Sequence, residues 1–164
     1  MDTQRIKQIF QVVCVVDDLD AVLENWKTMV EFNQASIKSG SADRDAKYLY
    51  KGKEIQCPLR YARFDLGGVD MMLVEPENKQ GGDPYSDCLI EKGQGFHHLG
   101  IYTEDYDGLI KNFAQRGIQP VFEVKSAGSR GYLLYDLKEE TGMTVAPYDH
   151  LFGPCDLWDD SRKT

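Results

Sequence analysis

Two stretches of this chain repeat each other. Gln11-Val12-Val13-Cys14-Val15-Val16-Asp17-Asp18-Leu19-Asp20 lies over His98-Leu99-Gly100-Ile101-Tyr102-Thr103-Glu104-Asp105-Tyr106-Asp107 at a constant offset of 87 residues, with Asp18/Asp105 and Asp20/Asp107 identical. Asn25/Asn112 continues the match at the same offset, and Phe64-Asp65-Leu66 later echoes Tyr135-Asp136-Leu137. Chance explains any one of these pairs, but the shared order of elements around them makes a duplicated unit the better account. A duplication constrains the fold strongly, because both copies should send equivalent strands into one common cavity.

The elements follow from pattern. Ile9 to Val16 is rich in β-branched residues and stops at Asp17-Asp18, which predicts a buried strand. From Asp18 to Glu31, Leu19, Val22, Leu23, Trp26, Met29 and Val30 recur at helical spacing, with Asp17 or Asp18 as N-cap. Gln34 to Lys38 is a weaker strand, and residues 41–58 read as a long polar loop or lid closed by Pro58. Leu59–Leu66 and Val69–Val74 flank Gly67-Gly68, the signature of a hairpin with a tight turn. Residues 8–76 thus form one βαβββ module, and residues 77–94, marked by Gly81, Gly82 and Pro84, read as a linker. The order then repeats over residues 95–148. A strand runs from His98 to Thr103 and a helix from Asp105 to Arg116, stopped by Gly117. Strands follow at Gln119–Val124, Tyr132–Leu137 and Met143–Tyr148, with Lys138 to Gly142 as a turn. Residues 149–164 are a C-terminal extension carrying Trp158.

Charge and cysteine content narrow the function classes. A formal net charge of −8 disfavours nucleic acid or an acidic membrane as partner. Lys47, Lys51, Lys53, Arg60 and Arg63 make the middle of the chain locally basic, which suits a small, anionic ligand. Cys14, Cys57, Cys88 and Cys155 show no zinc-ribbon spacing, so a reduced, cytoplasmic protein without disulfides is expected. There is no signal-peptide pattern at the N-terminus and no apolar run of membrane-spanning length.

Chemistry concentrates where the copies align. His98, heading a buried strand, is a candidate ligand or base, and equally a core residue with both ring nitrogens hydrogen-bonded. Strand alternation puts Asp70 on the face of Met72, Tyr102 on that of His98, and Thr144 and Tyr148 on that of Ala146. Gln11, Asp70, His98, Tyr102 and Tyr148 therefore form a polar cluster in the cavity, either functional or a wet lining whose groups satisfy one another. Glu75 and His97 fall one step out of phase, and Asp149 and His150 belong to a rim or to solvent.

The tandem order, together with the doublet His97-His98, Leu73-Val74-Glu75-Pro76 and the Gly128-Ser129-Arg130 loop, resembles the vicinal oxygen chelate superfamily, nearest in look to methylmalonyl-CoA epimerase. The resemblance covers residues 8–148 and implies an α+β fold in which tandem βαβββ modules form a curved mixed sheet around a shared cavity. It implies a divalent metal (cobalt, manganese, zinc, nickel or magnesium) that stabilises an enolate while a carboxylate moves the adjacent proton. The four ligand positions fall at Gln11, Met72, His98 and Ala146, of which only His98 keeps the usual residue and Gln11 still offers an amide oxygen. The functional expectation is proton transfer next to the carbonyl of a small or CoA-linked acid, with His98 as base and Tyr102 or Tyr148 as acid. Gln11, Asp70, Met72, Arg63, Arg130 and Ala146 would then line the substrate. The same fold without its metal serves to bind and sequester small molecules, and a lyase or dioxygenase with unusual ligands is a third possibility. A homodimer is common in the superfamily.

Overall fold

The computed structural model describes residues 6–126 and 131–152. β1 (Ile6–Val15) leads into α1 (Leu19–Met29), and β7 (Gly95–Thr103) leads into α3 (Tyr106–Gln115). The repeat is visible down to single hydrogen bonds. Asp18 caps α1 by accepting from the Ala21 amide at 3.0 Å, and Asp105 caps α3 by accepting from the Gly108 amide at 3.1 Å. Each cap satisfies an amide that the first helical turn leaves without a partner.

The first half continues through β2 (Lys38–Ser41), β3 (Lys47–Tyr50), β4 (Lys53–Ile55), β5 (Leu59–Leu66) and β6 (Val69–Pro76). After β7 and α3 come β8 (Phe122–Lys125), β9 (Tyr132–Leu137) and β10 (Met143–Tyr148). All ten strands join in one sheet of order β2-β5-β6-β1-β7-β10-β9-β8-β3-β4. In each half the last strand lies parallel to the first, β6 beside β1 and β10 beside β7, and the halves meet along an antiparallel β1–β7 seam. This is a mixed α+β fold with an open, curved sheet.

One short connection fixes the curvature. Five residues, 42–46, run from β2 at one edge to β3 near the other. Flat, those strands would lie about 38 Å apart, eight spacings of ~4.8 Å, whereas the connection spans ~21 Å at full stretch. The sheet must therefore curl into a cup. Outside it, α1 packs Leu19, Val22 and Trp26 on Ala62, Phe64 and Leu73, and α3 packs Leu109 and Phe113 on Ile101, Tyr135 and Val145. Inside, Val13, Val15, Leu59, Val74, Phe122 and Ala146 form the floor. Each fully buried aromatic such as Phe64 or Phe122 adds about 1.5–3 kcal/mol of apolar burial.

Several elements depart from the sequence pattern. Gln34–Ser36 is a 3-10 turn, with the strand starting at Lys38. The expected lid contains the β3–β4 hairpin, whose Tyr48 and Tyr50 point inward and whose β3 strand pairs with β8. The expected linker contains α2 (Pro84–Lys92), capped by Asp83, which accepts from the amides of Tyr85 and Ser86 at 2.9 Å. Lys138–Thr141 forms a single helical turn, α4. The β5–β6 turn is as expected: Gly67 and Gly68 both have positive φ, 64° and 93°, as a tight primed turn demands.

Candidate functional site

The cup holds a cavity of about 370 Å³, in the size range of small-ligand sites. Cross-strand register sets out its floor. Arg63 pairs with Met72, Met72 with Val13, and Val13 with His98, so these four residues form one row across β5, β6, β1 and β7. A neighbouring row runs Asp70, Gln11, Gly100, Ala146. Gly100 is required there: a Cβ would come within 2.8 Å of the Gln11 Cβ and 3.1 Å of its Oε1.

At the β5–β6 end the polar groups are charged and bound to one another. Arg63 donates to Asp70 Oδ2 from Nη2 at 2.8 Å and from Nε at 3.1 Å. Gln11 Nε2 donates to the same oxygen at 2.7 Å and lies 3.7 Å from the Met72 sulfur. Asp70 is fully buried, and burial pushes its carboxyl above the ordinary value against the opposing pull of Arg63 and Gln11. Arg63 has five N–H groups, and Asp70 engages Nε and one on Nη2. Arg63 lines the cavity, with its guanidinium carbon 5.0 Å from the Phe152 ring centre.

At the β7 end the polar groups are neutral. His98 is 2 % exposed, and burial holds its ring far below the ordinary histidine range. Its Nδ1 lies 2.8 Å from Nδ1 of His97, whose Nε2 lies 3.1 Å from the Pro84 carbonyl. His97 also stacks on Tyr85 at 4.7 Å. Among the described residues nothing hydrogen-bonds His98 Nε2. The Tyr85 and Tyr132 hydroxyls meet at 2.7 Å, and burial pushes both phenols upward.

The residues named from sequence divide accordingly. Gln11, Arg63, Met72, His98 and Tyr148 line the cavity, and Asp70 braces it from beneath through Arg63 and Gln11. Tyr148 lies edge-on to Phe10 and Phe152, and burial raises its phenol, so it is a poor proton donor at neutral pH. Tyr102 keeps the face of His98 and pairs with Tyr148 across β7 and β10, but it is not among the lining residues: it packs against Phe10, the extra residue of an irregularity in β1, and Leu151. Ala146 is fully buried in the floor. Arg130 lies outside the described residues. His150, expected at the rim, lines the cavity and pairs with Asp149 at 2.7 Å. Glu75 points outward, where it accepts from the Leu19 amide at 2.6 Å, and Arg60 forms an exposed pair with Asp20.

Sequence reasoning missed most of the aromatic lining. Tyr61 was reachable by alternation, being in phase with Leu59 and Arg63. Tyr48 lay in the supposed lid and Tyr85 in the supposed linker, although Asp83-Pro84 is a good helix-start signal.

The metal expected from the resemblance does not fit these residues. Met72 supplies a thioether, a poor donor for hard divalent ions, and Ala146 supplies none. Gln11 turns its amide nitrogen, not its oxygen, toward Asp70 and Met72, and Asp70 is held by a guanidinium. Among the described residues no three His, Cys, Asp or Glu side chains converge as a metal site. Likewise, no helix among them is long and apolar enough to cross a membrane.

Comparison with known proteins agrees with this architecture. Residues 10–135 match the family model described as the Glyoxalase/Bleomycin resistance protein/Dioxygenase superfamily. No curated protein matches the sequence. Among solved structures, methylmalonyl-CoA epimerase from Mycobacterium tuberculosis superposes with a TM-score of 0.60 at 14% identity, covering 91% of each chain. A hypothetical protein from Bacillus halodurans gives 0.59 at 15% identity, over 88% of this chain and 95% of that one. A Streptomyces coelicolor methylmalonyl-CoA epimerase variant in complex with 2-nitronate-propionyl-CoA gives 0.57 at 15% identity, over 87% and 96%. At such identities the likeness is one of fold. With the family model spanning most of the sequence, the chain belongs to the glyoxalase/bleomycin resistance protein/dioxygenase superfamily.

Proposed function

We propose that this protein binds a small polar organic molecule in its cup without a metal ion. The supporting observation is the Arg63–Asp70–Gln11 network, which engages the polar groups of the first half with one another and brings a fixed positive side chain to the cavity. A divalent ion there would have to compete with a guanidinium for one carboxylate and would find a thioether at Met72 and a methyl group at Ala146, leaving His98 and the Gln11 amide oxygen too few donors to hold it. The aromatic lining, with Tyr48, Tyr61, Tyr132 and Phe152, suits a flat ligand of modest size.

Elemental analysis of the purified protein, followed by thermal unfolding with candidate ligands, tests this reading. Metal well below one equivalent is expected. A true ligand at a hundredfold its Kd raises Tm by about 5–10 °C for a chain of this size. Stoichiometric cobalt, zinc, manganese, nickel or magnesium sinks the proposal.

A second reading, proton transfer next to a carbonyl, draws on the neutral His98 ring at the cavity wall. It requires metal-independent exchange of the α-proton of methylmalonyl-CoA or another acyl thioester in deuterated water, lost in His98→Gln. An exchange rate equal in the two proteins rules it out.

A further inference from the structure

His97 is not among the residues lining the cavity, yet it decides what His98 can offer there. A carbonyl only accepts, so the 3.1 Å contact to the Pro84 oxygen places a proton on His97 Nε2. Among the described residues no carboxylate reaches His97 to hold a second proton on its ring, whose two nitrogens meet only the Pro84 carbonyl and His98, and a neutral imidazole protonated at Nε2 has a bare Nδ1. The 2.8 Å contact between the two Nδ1 atoms then runs one way, from His98 as donor to His97 as acceptor. His98 thus spends its single proton inside the protein and keeps a lone pair on Nε2.

We propose that His97 is a positioning residue that fixes His98 as the Nδ1–H tautomer, so that the β7 wall accepts only a ligand carrying an O–H or N–H donor. This deepens the binding reading above and rests on it for the presence of a ligand. The row Arg63, Met72, Val13, His98 supplies the rest of the specification. Its ends are three strand spacings apart, ~14 Å on a flat sheet, and from those ends the two side chains reach inward over a cavity lined by tyrosine and phenylalanine rings. Between them lie only apolar side chains, and the unengaged edge of Arg63 suits a carboxylate. The ligand class is a hydroxylated aromatic carboxylic acid, its hydroxyl on His98 and its carboxylate on Arg63.

The tautomer is read without any ligand. In protein labelled with 15N-histidine, long-range 1H–15N correlation is expected to show His98 protonated at Nδ1 and bare at Nε2. His97→Phe keeps a ring but removes the acceptor and releases the Nε2–H form; His97→Asn returns an acceptor oxygen near the position of Nδ1 and restores the wild-type pattern. A wild-type His98 protonated at Nε2, or a tautomer indifferent to His97, overturns the assignment. For the ligand class the probes are 4-hydroxybenzoate and benzoate. Wild type should bind the hydroxylated probe at least tenfold more tightly, His97→Phe should bring the ratio within threefold, and His97→Asn should recover it. Equal affinity, or none for either probe, overturns the ligand class. Stoichiometric metal in the same samples would instead count against the binding reading, so the two failures are distinct.

Discussion

The two halves of the cup descend from one pattern but meet the ligand space differently. On the first half a buried carboxylate is held by a guanidinium and an amide, so the wall is charged and its groups are engaged with one another. On the second half two uncharged imidazoles and a pair of tyrosines form chains that end on the Pro84 carbonyl or on each other. A shared metal needs donors from both halves. Here Gln11 is engaged with Asp70, Met72 offers only its sulfur, and Ala146, in the same half as His98, offers a methyl group. Duplication preserved the helix caps and the seam, while the inward-facing positions drifted apart.

Breaking the charged wall should have the largest effect. Arg63→Met leaves the buried Asp70 without its cation and should cost about 3–5 kcal/mol in a denaturant titration. The double variant with Asp70→Asn should regain most of that loss, since no uncompensated charge remains. If the double variant is as unstable as Arg63→Met, the wall is held by packing and not by charge.

Acid separates the halves by sign. His97 and His98 have folded pKa values below the ordinary 6.5, so unfolding takes up protons as pH falls through 6.5 toward about 4, and stability drops by up to about 1.4 kcal/mol per pH unit for each. Asp70 is shifted the other way: burial raises its folded pKa, so its contribution is present at low pH and lost as pH rises through that value. His98→Gln should therefore flatten the acid limb of unfolding midpoint against pH, and Asp70→Asn should steepen it. Identical slopes in all three proteins would remove the contrast.

Smaller changes sharpen the comparison. Tyr132→Phe deprives the Tyr85 hydroxyl of its partner in a buried site and should cost about 1–2 kcal/mol by thermal or chemical unfolding. Tyr148→Phe should change stability by less than about 0.5 kcal/mol, because among the described residues its hydroxyl has no hydrogen-bond partner. A loss of ligand affinity in Tyr148→Phe without loss of stability would place that hydroxyl on the ligand.

Most of the scaffold was legible because its signals are local. Alternating β-branched runs, Asp18 and Asp105 as caps and Gly67-Gly68 as a turn all act within a few residues. The β3–β4 hairpin and α2 were missed for the opposite reason. Tyr48 and Tyr50 sit among charged residues, and only pairing with β8, more than seventy residues away, makes them inward-facing. Alternation put Tyr102 on the face of His98 and Tyr148 on that of Ala146, and Tyr148 does line the cavity; Tyr102 pairs with it but is covered by Phe10, which an irregularity in β1 that no local pattern announces turns inward.

The sequence by itself determined a duplicated α+β scaffold with one histidine left at the four metal positions, because periodicity, caps and residue identity are written along the chain. The tertiary structure decided the rest: that residues 42–46 curl the sheet into a cup, that Arg63 binds Asp70, and that His97 donates to Pro84 and thereby orients His98. Those contacts cross from one strand or helix to another, and their geometry depends on the curvature and register that only the folded sheet supplies.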